Sequence, residues 1–274
     1  MTRIKIVTDS TSYISKDYVD REDVSVVPLN YIFDGLTFKE GFKGEYDEFF
    51  IKLSNSNLFP TTSQPSTGDF YNVFEEALRD YDEIIAILLS SKLSGTYNSA
   101  VLASNMLEDK RITIIDSQTA ASNLRFLVED AVEMAKSGEK SEDIVEFINN
   151  KKQNMHISLT TDTLEYLRRG GRLSSIQSTV GNILNIKPII QLRDGELESV
   201  EKIRGKNKAI SKILSFIDND VNRIGICHIL NMEEALKIRD ILMERFPNIE
   251  ISIDELGPVV GSHLGPKMIG ICYY

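Results

Sequence analysis

Apolar residues recur along this chain in two rhythms. Short runs rich in isoleucine and valine, Ile4 to Val7, Val24 to Leu29, Ile84 to Leu89 and Ile112 to Ile115, have the length and branching of strands buried on both faces. Between them apolar positions return every three or four residues. Phe70, Val73, Phe74, Ala77 and Leu78 form one such set, and Leu124, Val128, Ala131, Val132 and Ala135 another. Ala100 to Ala103 with Met106 and Leu107 form a third. This spacing predicts helices with one buried face. Tyr46 to Leu53 predicts a short helix, and Ile144, Val145 and Ile148 mark one that starts at Ser141, just after the stop signal Gly138. Strands alternating with helices predict a mostly parallel sheet with helices on both faces.

Beyond the polar stretch Lys151 to Asn154 the pattern changes. Ile157 to Leu159 reads as a strand, and Ile189 to Leu192, Asp194-Gly195 and Leu197 to Ile203 as a hairpin with a strong turn signal. Ala209, Ile210, Ile213, Leu214 and Ile217 predict a helix, Ile224 to Ile229 a strand, Met232 to Phe246 a helix and Ile249 to Ile253 a strand. The expectation is therefore a two-domain α/β chain, with an N-terminal α/β domain over residues 1–154 and a C-terminal α+β domain over 155–274.

Polar residues gather where the first-half strands end. Thr8-Asp9-Ser10-Thr11-Ser12 follows the first, Ser90-Ser91 the third and Asp116-Ser117 the fourth. A parallel sheet collects ligands beyond the carboxyl ends of its strands, although Ser and Asp also serve there as caps and turn formers. The segment Ser90 to Ala100 stands between strand and helix and is dense in hydroxyls. It is either an anion site at a helix start or a helix cap made by Ser94 or Thr96. Pro60 to Phe70 reads as a second hydroxyl-rich loop, delivering Thr62 and Ser63 beside a helix capped by Ser66.

The 274 residues are 42% hydrophobic, enough to fill real cores, and carry a net charge of −10. That charge argues against a general nucleic-acid binder and against broad adhesion to anionic membranes. Two cysteines without a CxxC pair give neither a disulfide framework nor a metal-ligand spacing. The N-terminus enters a strand pattern directly and no apolar run reaches membrane-span length, so a soluble cytoplasmic protein is expected. Phosphate-loop, dinucleotide, zinc-protease and kinase signatures do not occur, and neither a cofactor nor a metal is expected.

Of three histidines, His156 and His228 fall on apolar strands and read as structural, whereas His263 lies in the glycine-rich run Gly257 to Pro266. There it can donate to an anion or act as a base. Ser94, His263 and Asp116 or Asp9 supply the residue types of a hydrolase triad, but no GxSxG is present. Leu164 to Leu173 reads as a short helix ending at glycines, grouping Arg168, Arg169 and Arg172. These arginines either complement a helix end or dock a phosphate or an acidic protein surface. Arg204 can join them.

Five segments in order along the chain resemble the DegV family, whose fatty-acid-binding members are the FakB proteins. They are Val7-Thr8-Asp9-Ser10, Thr62-Ser63-Gln64-Pro65-Ser66, Leu93 to Ala100, Leu164 to Arg172 and Gly257 to Pro266. The resemblance implies a fold that encloses one long-chain fatty acid, its carboxylate near Thr62, Ser63, Ser94, Gly95, Thr96 and His263. It also implies a separate fatty acid kinase, FakA-like, that phosphorylates the carboxylate for phospholipid synthesis, docking at Arg169, Arg172 and Arg204. Transient contact with a membrane surface during lipid exchange would accompany that role, and the chain would be a carrier, not an enzyme. An acyl-ester hydrolase using Ser94 and His263, or a lipid-sensing regulator, are the alternatives. Hydroxyls and helix-start N–H groups suffice to hold a carboxylate out of water, so no buried cation is expected.

Overall fold

The computed structural model describes residues 2–56, 58–172 and 186–274. Met1 and Leu173, which bound two of the segments read above, lie outside the described residues. The chain opens with β1 (Ile4–Asp9), α1 (Lys16–Glu22) and β2 (Ser25–Val27), followed by β3 (Asn30–Phe33), β4 (Leu36–Lys39), α2 (Asp47–Asn55) and β5 (Thr61–Ser63). Next come α3 (Thr67–Asp80), β6 (Glu83–Leu88), α4 (Thr96–Leu107) and β7 (Ile112–Asp116), then the helices α5 (Ala121–Lys136) and α6 (Ser141–Lys151). Strands β2, β1, β6 and β7 form one parallel sheet in that order.

Both faces of this sheet are covered, as the unbroken apolar runs require. Ile85 and Ile87 of β6 pack with α5 and α6, whereas Ile84, Ala86 and Leu88 pack with Phe70 and Phe74 of α3 and Ala100 and Ala103 of α4. Helix α3 starts with a capping box: Ser66 Oγ accepts from Asp69 N–H at 3.1 Å and the Asp69 carboxylate accepts from Ser66 N–H at 2.9 Å. Strands β4, β3 and β5 make a small antiparallel sheet absent from the sequence reading. Its hairpin turns at Asp34-Gly35, both with positive φ (51° and 76°), the backbone that favours this dipeptide.

The second half contains β8 (His156–Thr160), α7 (Glu165–Gly170), β9 (Ile186–Arg193), β10 (Glu196–Arg204) and α8 (Lys206–Leu214). It ends with β11 (Arg223–His228), α9 (Met232–Arg245), β12 (Glu250–Glu255), α10 (Pro258–Leu264) and β13 (Ile269–Tyr273). The six strands are ordered β10-β9-β8-β13-β11-β12, antiparallel except for the pair β11 and β12. The expected hairpin and strands are present. The glycine-rich run Gly257 to Pro266 contains helix α10, and neither this helix nor β13 at the centre of the sheet was predicted.

One face of this sheet is covered by α8 and α9. Its other face, with Ile157, Leu159, Ile190, Leu197, Cys227 and Cys272, meets Leu29, Phe49, Leu89 and Ala121 of the first half in a shared core. Polar pins cross that junction. Arg125 of α5, 9% exposed, bonds Asp254 at 2.7 Å, Ser252 at 2.8 Å and Glu129 at 3.1 Å. Glu129 also pairs with Arg223 at 2.6 Å. Removing one partner leaves a buried charge uncompensated, so Arg125→Ala is expected to cost about 3–5 kcal/mol of unfolding free energy in denaturant titrations. A loss within the scatter of surface substitutions would show that the pin does not join the halves.

Candidate functional site

The shared core is not filled. A cavity lies between the two halves, and the centre of a water molecule can reach about 100 Å³ of it. The space is thus narrow. Its wall is largely apolar, with Leu29, Leu89, Ile157, Leu159, Leu192, Leu256 and Val259 among the lining residues. The polar exceptions include Thr11, Thr62, Ser94, Arg172 and His263.

Each arrives from a different element. Strand β5 pairs with β3 through Tyr31 and Thr62, which fixes the direction of the Thr62 side chain. Because successive side chains of a strand alternate, Ser63 faces away. It is exposed, lies 3.5 Å from Asn30 Nδ2 and does not line the cavity. This departs from the expectation that placed both residues at the site. Thr62 Oγ1 lies 2.7 Å from His263 Nε2. His263 belongs to the last turn of α10, whose first turn carries Pro258 and whose end is Gly265 at φ 74°.

His263 packs against the backbone of α7. A Cβ built on Gly170 would lie 2.2 Å from His263 Nδ1, so only glycine permits this approach. Burial, and then the charge of Arg172, push the histidine down to about 4. At neutral pH it is uncharged, with one nitrogen able to donate. Arg172 lies beyond the left-handed cap Gly171, its Nε donating to Leu93 C=O at 3.1 Å and its Nη1 to Gly170 C=O at 2.6 Å. Burial lowers its pKa as well. A cation therefore does stand on the wall, contrary to the expectation that hydroxyls and N–H groups alone would line it.

Ser94 Oγ lies 2.9 Å from Thr96 Oγ1 and accepts from Thr96 N–H at 3.3 Å. The helix cap of α4 is Gly95, which has no side chain to bond the free N–H groups of the first turn. Thr96 is fully buried as the first helical residue, and neither it nor Gly95 lines the cavity. Arg169 is outside: it pairs with Glu165 at 2.5 Å and its guanidinium lies 3.9 Å from the centroid of the Phe59 ring. Arg204 ends β10 opposite Ile186, at the sheet end where β8 leads toward α7. The structure thus brings Thr62, Ser94, Arg172 and His263 onto one wall, keeps Gly95 and Thr96 behind it, and leaves Ser63, Arg169 and Arg204 off it.

This is not the geometry of a triad. His263 bonds Thr62, and among the described residues its Nδ1 has no partner. Asp9 accepts from Thr11 and Leu89, and Asp116 from Ser91 and Gln118. Among the described residues no carboxylate orients the histidine, as acyl hydrolysis of that kind needs.

A feature missed from the sequence stands behind α10. Glu40, 4% exposed, accepts from Val259 N–H at 2.8 Å and Ser10 Oγ at 2.6 Å. Val259, Val260, His263 and Leu264 of this helix all line the cavity, so Glu40 holds a wall in place. Its sequence surroundings gave no sign of burial.

A family model described as "Uncharacterised protein, DegV family" matches residues 3–274. The chain belongs to the DegV family. Protein DegV of Bacillus subtilis is 35% identical over 276 residues, covering 98% of each chain. The crystal structure of DegV from Bacillus subtilis, a fatty acid binding protein, superimposes with a TM-score of 0.90 at 35% identity, covering 100% of this chain and 99% of that one. A DegV-family protein from Thermus thermophilus, described by its fatty acid binding, gives 0.89 at 34% identity with 99% of each chain covered. Among the described residues no helix is long and apolar enough to cross a membrane.

Burial raises Glu40 to about 7 from an ordinary 4.5, with the nearby Asp9 adding to it and the hydrogen bonds opposing it. The folded state therefore binds this proton more tightly than the unfolded chain does. The stability it contributes is present below about pH 4.5 and lost as pH rises through about 7, amounting to about 3 kcal/mol. His228 and His263, each near 4, act oppositely, since their contribution is lost as pH falls below 6.5. In unfolding titrations Glu40→Gln is expected to gain on the parent by about 3 kcal/mol across that rise in pH. A pH-independent difference would refute the buried-acid assignment.

Proposed function

We propose that this DegV-family protein is a carrier for one long-chain fatty acid. The observation that carries the reading is the distribution of chemistry in the cavity: a narrow apolar space whose wall has Thr62, Ser94, Arg172 and His263 as polar groups from four separate segments. Each methylene taken out of water contributes about 0.8 kcal/mol, so an acyl chain supplies most of the affinity. A carboxylate at the polar groups meets hydroxyl donors, a neutral imidazole and a half-buried guanidinium, enough to stay ionised. The fatty acid binding described for the Bacillus subtilis and Thermus thermophilus relatives supports the assignment.

The bound acid is then presented to a separate, FakA-like fatty acid kinase, which forms the acyl phosphate used in phospholipid synthesis. The carboxylate oxygen attacks the phosphoryl group and the partner supplies the nucleotide, so the carrier contributes orientation and positive charge at the contact. Arg169, exposed on α7, and Arg204, at the neighbouring sheet end, supply that charge, while Arg172 spans the outer surface and the cavity. Ser63 and the backbone at Gly95 and Thr96 support the hydroxyl wall and do not touch the acid through side chains.

Denaturing mass spectrometry of the purified protein is expected to release one fatty acid per chain. Repeated absence, together with no uptake from added oleic acid, would sink the carrier reading. Thr62→Val and Arg172→Gln are expected to lower retention roughly tenfold each, on the scale of one lost charge-assisted hydrogen bond. Arg169→Ala is expected to leave retention unchanged and to slow phosphorylation by a fatty acid kinase. Unchanged phosphorylation kinetics would remove Arg169 from the docking surface.

A further inference from the structure

Two thiols on the cavity wall have no part in the carrier reading. Cys227 on β11 and Cys272 on β13 are the only cysteines of the chain, and both line the apolar cavity. Their strands pair so that Cys227 faces Gly270 and Cys272 faces Gly225, a diagonal that leaves the sulfurs 3.6 Å apart. Counting hydrogens fixes the direction of the bonds around them. Ser122 Oγ gives its single hydrogen to Asp254 Oδ2 at 2.6 Å. Cys227 Sγ, 3.0 Å from that same oxygen, must then be the donor to it, and Cys272 the donor to Cys227.

The result is a line of donors from Cys272 through Cys227 and Ser122 to Asp254, whose carboxylate Arg125 holds at 2.7 Å. A thiol bonded through a hydroxyl to a carboxylate has a path by which its proton can leave, the arrangement that activates a nucleophile. The bond from Cys272 lowers the pKa of Cys227 while burial opposes it, and the same bond raises Cys272. One sulfur is prepared to attack and the other to resolve.

What can reach these sulfurs is set by their surroundings. They are 2% and 1% exposed, and Ile157, Leu159, Ala121 and Gly270 adjoin them on the wall. The polar lining groups stand on other elements, so the thiols face an acyl chain and not its headgroup. We propose that Cys227 and Cys272 form a dithiol that reduces the hydroperoxide of an oxidised fatty acid held in the cavity, a reading that rests on the fatty-acid site proposed above.

In the first step the Cys227 sulfur attacks the terminal peroxide oxygen, the O–O bond breaks, and the lipid oxygen leaves as an alcohol carrying the thiol proton. Cys227 is then a sulfenic acid. In the second step the Cys272 sulfur attacks Cys227, the S–O bond breaks, and hydroxide leaves with the Cys272 proton as water. Two thiols lose two electrons and two protons, and the products are a disulfide, a hydroxy acid and water. An external thiol reductant restores the pair.

The test mixes the full chain with an equimolar hydroperoxy-octadecadienoic acid, then counts free thiols by alkylation after denaturation and measures the hydroxy acid. Both thiols are expected to disappear with one equivalent of hydroxy acid, at a rate on the order of tenfold or more above that with hydrogen peroxide, because the bound chain holds its O–O bond beside the sulfur. Cys272→Ser is expected to yield hydroxy acid once and stop at a trappable sulfenic acid, whereas Cys227→Ser yields none. Ser122→Ala is expected to keep both thiols and shift the pH profile of the step upward. Thiols that survive in a chain binding oleic acid stoichiometrically would overturn the proposal and leave the carrier standing. Equal rates with hydrogen peroxide would overturn delivery through the cavity, and a chain that binds no oleic acid would overturn both readings.

Discussion

Glu40 is a carboxyl group that burial has carried to about 7, and the geometry around it depends on that cost being met. Its oxygens take the N–H of Val259 and the hydroxyl of Ser10, with Tyr13 OH at 3.4 Å. Ser10 Oγ in turn accepts from Leu29 N–H at 3.1 Å. One side chain therefore joins the end of β1, the approach to the small sheet and the first turn of α10. Val259 and His263 are four residues apart, on one face of that helix. Anchoring the former aims the latter at Thr62. Without a partner in the first half, this seven-residue helix would have little reason to form, since so short a helix is unstable alone.

The cavity is the complement of these anchors. Arg125 with Asp254 ties α5 to β12, and Glu40 ties β1 to α10. Between them the halves do not close completely, and apolar walls face each other across a narrow gap. The same low-dielectric setting that raises Glu40 lowers His263 and Arg172. A bound anion would offset that penalty at the Arg172 guanidinium and meet a neutral imidazole at His263. The site is thus arranged to be more comfortable with an acid present than with neutral contents.

Much of this fold was legible in the sequence because local signals and tertiary demands agree. Ile84 to Leu89 shows a strand buried on both faces, Ser66 shows a helix cap, and Asp194-Gly195 shows a hairpin turn. The failures share a different cause. Helix α10 contains Pro258 and Gly261, poor helix formers in isolation, and a Cβ at Gly261 would crowd the Phe50 ring at 3.2 Å. Strand β13 is five residues with a glycine inside and takes its identity from β8 and β11 on either side. Thr62 and Ser63 looked equivalent until pairing with β3 set the alternation that turns only one inward. Asp34-Gly35 was an available signal for the small sheet. Motif order located the site's segments, but which side chain faces inward is a property of neighbours distant in sequence.

Gly170 separates two faces of the molecule. On its outer side α7 carries Arg168 and Arg169, both paired with Glu165 at the surface. On its inner side the His263 ring occupies the place where a side chain would stand. Among the described residues, the partition between the outer face of α7 and the cavity is here the backbone of Gly170, with the His263 ring directly against it. The exterior of α7 and the interior of the cavity are therefore two sides of one thin panel.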